Sequence, residues 1–195
     1  MLTIVALVSG GGSNLRALLE ACDNPLFPAR VRAVGSDRPA PALEHAEQFS
    51  VPTFVLEPEK FSSKEQWADL LLRSIEFHKP DLIVLAGFMR ILPSSVVDAL
   101  SPKIINIHPS LLPAFPGAHA VADALASGAQ VTGATVHIVD NGVDTGPIIR
   151  QTEVQIPVGI SEDQLHNLIR EVEKKQLVEV VRDIAEGRVK LEAIK

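Results

Sequence analysis

Residues 2–8, LTIVALV, run apolar with little polar interruption and stop at Ser9-Gly10-Gly11-Gly12-Ser13-Asn14. A run of that length, rich in branched residues, suits a strand covered on both faces, as inside a parallel sheet. Leu15, Leu18, Leu19 and Cys22 then recur at helical spacing, with Ser13 placed as an N-cap. The same succession returns along the chain. Residues 31–35 read as a second strand, 41–49 as a helix, 53–56 as a third strand and 62–78 as a long helix with Trp67 in or near the core. Residues 82–86 are the clearest central strand, 93–100 a short helix, 104–107 another buried strand and 119–127 a helix that Gly128 can end. Such alternation predicts an α/β fold with a doubly wound, mainly parallel sheet. After residue 116 the texture changes. Residues 131–139 alternate around Thr132, Ala134, Val136 and Ile138, and 148–156 are again strand-like. The turn cluster from Asp140 to Pro147 joins them as a long hairpin that adds strands, at least one of them antiparallel. Ser161-Glu162-Asp163-Gln164 opens a long final helix towards Ala185, and Gly187 closes it. One domain over residues 1–195 is expected, divided into an α/β half (1–116) and the hairpin with the last helix (117–195).

Asn106 and His108 interrupt the apolar run of KIINIHPSLLPAFP and, two apart on a strand, share one face. Pro109 ends the strand there, and the carboxyl ends of strands are where open α/β sheets bind ligands. A hydrogen-bonded core pair is the plainer alternative, but two prolines stiffening the exit loop favour a site. Three consecutive glycines between strand and helix suit an anion held by backbone amides, although a tight turn would use them too. No lysine follows them as in a Walker loop, and Leu15 stands where a dinucleotide fingerprint needs its third glycine. Asp37 lies about where a ribose-binding acid would, yet a bare turn acid explains it better. Met89, Ile91 and Leu92 offer a soft apolar wall after Gly87. Asp144, in its glycine-rich loop, would orient His108 and favour its protonated form by opposite charge. No serine occupies a Gly-x-Ser-x-Gly elbow, and Cys22 belongs to an apolar helix face, so the nucleophile is the substrate's own. No cluster has metal-ligand spacing, and no metal is expected. A net charge of −6 argues against nucleic acid as the main partner. The single cysteine suits a reducing cytosol, no basic-then-apolar leader opens the chain, and residues 82–89 are too short to span a bilayer. A cytoplasmic protein without membrane partners is expected. The residues by themselves lead to acyl transfer onto a phosphate-bearing nucleophile.

Four stretches carry a resemblance that goes further: IVALVSGGGSNL, DLIVLAGFMRIL, INIHPSLLPAFPG and GATVHIVDNGVDTGPII. Together they resemble the folate-dependent formyltransferases, and among them the phosphoribosylglycinamide formyltransferase (glycinamide ribonucleotide transformylase) family of purine biosynthesis. The resemblance implies a Rossmann-like formyltransferase fold and transfer of a formyl group from 10-formyltetrahydrofolate to the amine of glycinamide ribonucleotide. It places Asn106, His108 and Asp144 at the catalytic positions, with His108 as general acid and Asp144 tuning its protonation. Gly12, Ser13 and Asn14 fall where the family holds the ribonucleotide phosphate, with Arg170 and Glu173 at the far end of that site. Met89, Arg90, Ile91, Leu92, Asn106, Asp140, Asn141, Gly142, Val143 and Asp144 match folate-binding segments, and residues 117–195 become the folate-site hairpin and final helix. Lys64 stands where many members have a folate-contacting arginine, Lys174 where histidine is common, and Ala120-Val121 where the pair is more polar. The related methionyl-tRNA formyltransferases and formyltetrahydrofolate hydrolases carry an extra domain for which this length leaves no room. A nicotinamide-dependent oxidoreductase, resting on Gly10, Gly12 and Asp37, is a rival from another class. A non-catalytic binder of purine precursors would keep the glycine loop without needing His108 and Asp144. A homodimer is compatible with the sequence, which does not itself set the oligomeric state.

Overall fold

A computed structural model describes residues 1–194. Seven strands form one sheet in the order β3-β2-β1-β4-β5-β6-β7. The strands are β1 (Leu2–Val8), β2 (Ala29–Ser36), β3 (Thr53–Val55), β4 (Leu82–Leu85), β5 (Ile104–His108), β6 (Val131–Ile138) and β7 (Ile148–Gln155). The first five are mutually parallel, while β6 runs antiparallel to β5 and β7 antiparallel to β6. The mainly parallel, doubly wound sheet and its antiparallel addition are thus as expected. Six helices complete the chain: α1 (Ser13–Asp23), α2 (Ala42–Gln48), α3 (Lys64–Phe77), α4 (Ser94–Leu100), α5 (Ala120–Ala126) and α6 (Glu162–Ala185). Short 3-10 turns at Pro58–Lys60 and Leu191–Ala193 had no sequence signal. β2 is longer than expected because the side chains of Arg30 and Arg32 can leave the sheet between buried Ala29, Val31 and Ala33.

Alternation along β1 explains why its sequence is apolar throughout. Ile4, Ala6 and Val8 pack with α1 and with Leu177, Val180 and Val181 of α6 on one face. Val5 and Leu7 pack with Trp67, Leu71 and Ile75 of α3 and with α4 on the other. A smaller cluster joins Val121 of α5, Ala134, Val154, Leu165 and Ile169 under the hairpin. Trp67 is buried and donates its indole N–H to the Leu56 carbonyl at 2.9 Å. Burial pushes the Cys22 thiol up to about 11, which keeps it protonated and inert. α6 starts with a capping box, Ser161 and Gln164 each satisfying the other's backbone N–H. Among the described residues no helix is long and apolar enough to cross a membrane.

The chain leaves β1 for β2 and β3 on one side, then returns to β4 and β5 on the other. The crevice where strand order reverses therefore lies between the carboxyl ends of β1 and β4, the usual ligand position in open α/β sheets. Those ends carry the glycine loop and Gly87.

The contribution of α6 to the larger core gives the first expected outcome. Leu177→Ala removes a fully buried side chain from the α6 face and should cost about 3 kcal/mol. Urea unfolding measures it; a change within experimental scatter would contradict the packing described.

Candidate active site

β5 presents Asn106 and His108 at its carboxyl end, and the antiparallel register sets His137 of β6 opposite Asn106. The loop between β6 and β7 brings Asp144 to the same point. Asp144 Oδ2 lies 3.4 Å from His108 Nδ1, and its Oδ1 lies 3.6 Å from His137 Nε2. Asn106 Nδ2 sits 3.2 Å from His137 Nε2 and 3.5 Å from Asp144 Oδ1. The Gly117 amide donates to Asp144 Oδ2 at 2.8 Å. His108 Nε2 donates to the Phe115 carbonyl at 2.8 Å, so each ring nitrogen of His108 faces an oxygen acceptor. His137 Nδ1 donates to the Ile138 carbonyl at 2.9 Å. In the neutral His137 ring, Nε2 therefore accepts from Asn106; in the protonated ring it donates to Asp144. His137 is the first cause of the lowered Asp144 pKa. Its hydrogen bond, helped by the Gly117 amide and the charge of His108 against the opposing effect of burial, holds the carboxyl at about 2.

That geometry depends on a tightly specified loop. Asp140 accepts hydrogen bonds from the Gly142 amide at 3.0 Å and the Thr145 hydroxyl at 2.7 Å. Asn141 donates to Asp98 of α4 at 2.8 Å. Gly146 passes so close to the Ile138 carbonyl that a Cβ has no room. Asp144 itself has φ 54°, a left-handed conformation that costs a non-glycine residue energy and is retained where surroundings enforce it.

A cavity of about 510 Å³ opens beside these groups, at the carboxyl ends of β4 and β5. Met89, Arg90, Ile91 and Leu92 line one side; Asp140, Gly142, Val143 and Asp144 line another. Met89 and Ile91 are each 70% exposed, so the sequence's apolar wall faces open space. Arg90 lines the cavity while its guanidinium pairs with Asp37 at 2.7 Å and with Glu59. Asn141 supports the loop from behind, and Lys64, at the start of α3, is not among the lining residues. His119, Glu162 and His166 also line the cavity. Burial and the charge of Arg170 lower the basicity of His166.

Gly12 has φ 73°, and a Cβ there would stand 2.9 Å from the Ala42 backbone, so packing and conformation alone demand glycine. Gly10 and Gly11 open onto free space, and they are the positions where an anion can approach the backbone. Ser13 begins α1, and no side chain caps that helix. Asn14 is buried with its Oδ1 unpartnered, and its side chain meets Glu173 where α1 packs on α6. Burial pushes the Glu173 carboxyl up to about 7, with Asn14 and Arg170 pulling the other way. A buried acceptor beside an open amide loop is a group that a polar ligand or an ordered water can satisfy. Arg170 is exposed on α6, one turn before Glu173, and bonds Asn167 at 3.3 Å.

Of the residues expected at the catalytic point, all three meet there. His137 was missed. Its only sequence signal was a histidine breaking the apolar series VTGATVHIV, and nothing in that spacing links it to Asn106 on another strand. Asp37 is neither a ribose acid nor a bare turn acid; it is the buried partner of Arg38 and Arg90. Among the described residues no three His, Cys, Asp or Glu side chains group so as to hold a metal.

Residues 2–181 match the family model described as formyl transferase. A phosphoribosylglycinamide formyltransferase of Mycobacterium tuberculosis (strain CDC 1551 / Oshkosh) is 47% identical over 93% of this chain and 84% of its own length. The enzyme of that name from Escherichia coli (strain K12) is 39% identical over 97% of this chain and 90% of its own. The crystal structure of glycinamide ribonucleotide transformylase 1 from Symbiobacterium toebii superposes with a TM-score of 0.95 at 39% identity, covering 100% of this chain and 93% of that one.

Two outcomes follow from the site's geometry. Gly12→Ala should lower stability by about 1–3 kcal/mol, while Gly11→Val should leave the melting temperature near its original value and weaken anion binding. Calorimetry with a phosphate-bearing ligand and thermal melts separate the two; equal melting losses would contradict the assignment. The Asp144 carboxyl is lowered from 3.8 to about 2 on folding, so it stabilises the native state above pH 3.8 and that stability is lost as pH falls towards 2. The unaltered protein should therefore lose roughly 2 kcal/mol more than Asp144→Asn across that window, measured by urea unfolding. Parallel curves would contradict it.

Proposed function

This chain belongs to the formyl transferase family, and on that footing we propose that it transfers the formyl group of 10-formyltetrahydrofolate to the amine of glycinamide ribonucleotide, a step of de novo purine biosynthesis. The observation that carries the mechanism is the meeting of Asn106, His108 and Asp144 at the edge of the cavity. Residues 1–195 act as one formyltransferase domain, the glycine-loop half serving the ribonucleotide and the hairpin half the folate. The cytoplasm is the setting of this reading, and association of two copies is to be read by sedimentation.

The chemistry of the residues fits both substrates. The cavity pairs an apolar wall at Met89 and Ile91 with polar backbone and carboxylate groups of the 140–144 loop, as a flat heteroaromatic ligand with polar edges needs. The open Gly10–Gly11 backbone and the helix end behind it suit a phosphate, and Asn14 with Glu173 suits the polar groups attached to it. The folate donor supplies a one-carbon unit as an activated formyl amide. Everything else is done by the chain. The amine must arrive unprotonated to attack the formyl carbon, and charge then builds on the formyl oxygen. One Asn106 N–H, held only at 3.5 Å from Asp144, is available to meet that charge. Asp144 is ionised throughout neutral pH and serves as a charge partner, leaving His108 to hold the mobile proton. The His108 Nε2–H must leave the Phe115 carbonyl, 2.8 Å away, to protonate N10 of the donor as the formyl C–N10 bond breaks and tetrahydrofolate departs. The proton shed by the attacking amine restores the imidazolium. His137 keeps the Asn106 amide aimed.

Incubation of the protein with 10-formyltetrahydrofolate and glycinamide ribonucleotide, followed by the appearance of deformylated folate, tests the reading. Release of formate without the amine acceptor would contradict it. Asn106→Ala should keep both Michaelis constants within a few-fold and slow turnover about a hundredfold. Intact turnover with a raised constant would make Asn106 a binding residue alone.

A further inference from the structure

Asp37 ends β2 in a place the reaction does not use. Its side chain is fully shielded from solvent. Oδ2 accepts from Arg38 Nε at 3.1 Å and Nη2 at 2.8 Å, and from Arg90 Nε at 2.7 Å. The Ser9 hydroxyl faces the same carboxylate more loosely, while Oδ1 has no close partner. Burial opposes ionisation, yet the hydrogen bonds from Arg38, Ser9 and Arg90 outweigh it and keep the carboxyl at about 2. Ser9 in turn accepts the Met89 amide at 2.8 Å through its Oγ and donates its own amide to the Gly87 carbonyl at 2.9 Å. Asp37 thus reaches two successive residues of the cavity wall, Met89 through Ser9 and Arg90 directly. Glu59 holds the far side of the same guanidinium.

That stretch of wall has little else to hold it. Phe88 and Leu92 are buried, but Met89 and Ile91 between them are each 70% exposed and gain no position from core packing. Between those buried ends the span is held through Arg90, gripped by Asp37 and Glu59, and through the Ser9 bond to Met89. Asp37 is the carboxylate of the two that is sealed from water, so loss of its charge loosens the span. Breaking a carboxylate–guanidinium pair costs little when both partners are exposed and much more when one is sealed from water, because a charge is then left uncompensated. Here Asp37 is sealed and the Arg90 side chain is only 32% exposed.

We propose that Asp37 is a positioning residue for the formyl donor, setting the 89–91 segment of the cavity wall through Arg90 and Ser9. The inference rests on reading the cavity as the donor's site. Asp37→Asn preserves shape and removes charge, and it should raise the Michaelis constant of 10-formyltetrahydrofolate roughly tenfold, with that of the ribonucleotide and the turnover number within about twofold. Ser9→Ala, lacking only the relaying hydroxyl, should raise the same constant by a smaller factor. Combining Asp37→Asn with Arg90→Met should raise it no further than the larger single effect, because both act on one contact. Calorimetry with tetrahydrofolate, the deformylated product, checks that binding itself has moved. An unchanged donor constant overturns the inference, as does a joint shift of both constants and turnover in step with a falling melting temperature. If Asp37→Asn does not fold, Ser9→Ala decides alone, and an unmoved donor constant there is equally fatal. Failure of the underlying reading looks different: the unaltered protein would then bind no tetrahydrofolate at all.

Discussion

The carboxylate of Asp144 ties together the strand end, the hairpin and the loop after β5. One oxygen faces His108 and takes the Gly117 amide; the other faces His137 and Asn106. It is held there by a left-handed backbone, an Asp140 turn, a brace from Asp98 and a glycine crossing against Ile138. Unpaired, a carboxylate this shielded would be costly; paired with two imidazoles and an amide, it stays ionised far below neutral pH. Its cost and its use are the same fact. A permanent negative charge orients His108 and cannot itself give up a proton to the substrate.

The sheet topology brings the second half of the site to that point. Because strand order reverses between β1 and β4, the glycine loop and the Gly87–Leu92 wall leave neighbouring strand ends. Ser9 stitches them by two hydrogen bonds. α6 packs against α1 on the other side and buries Glu173 beside Asn14, while its first turns bring Glu162 and His166 to the cavity. One long helix therefore borders both the loop that suits a phosphate and the cavity that suits the donor.

Much of this was readable in the chain because it is written locally. Two-residue spacing put Asn106 and His108 on one face, and Pro109 marked the strand end; uninterrupted apolar runs announced a sheet covered on both sides. What was not readable depends on pairings distant in sequence. His137 meets Asn106 only through the β5–β6 register, 31 residues apart. Asp37 reads as a turn acid in the local sequence because its partner Arg90 lies 53 residues away. The need for glycine at position 12 is set by α2, which its backbone must clear and which begins 30 residues later at Ala42. Asp144 stands between these cases: its glycine-rich loop is legible as functional and its charge suits His108, but their meeting 36 residues apart depends on the hairpin folding back over the strand end.

The central claim is that Asp144 and His108 act as one unit in formyl transfer. Single-turnover rates for His108→Ala, Asp144→Ala and the double variant test it most directly. Each single change should slow transfer by orders of magnitude, and the double variant should be no slower than the slower single one. A double variant slowed by the product of the two separate losses would show independent contributions and contradict the account.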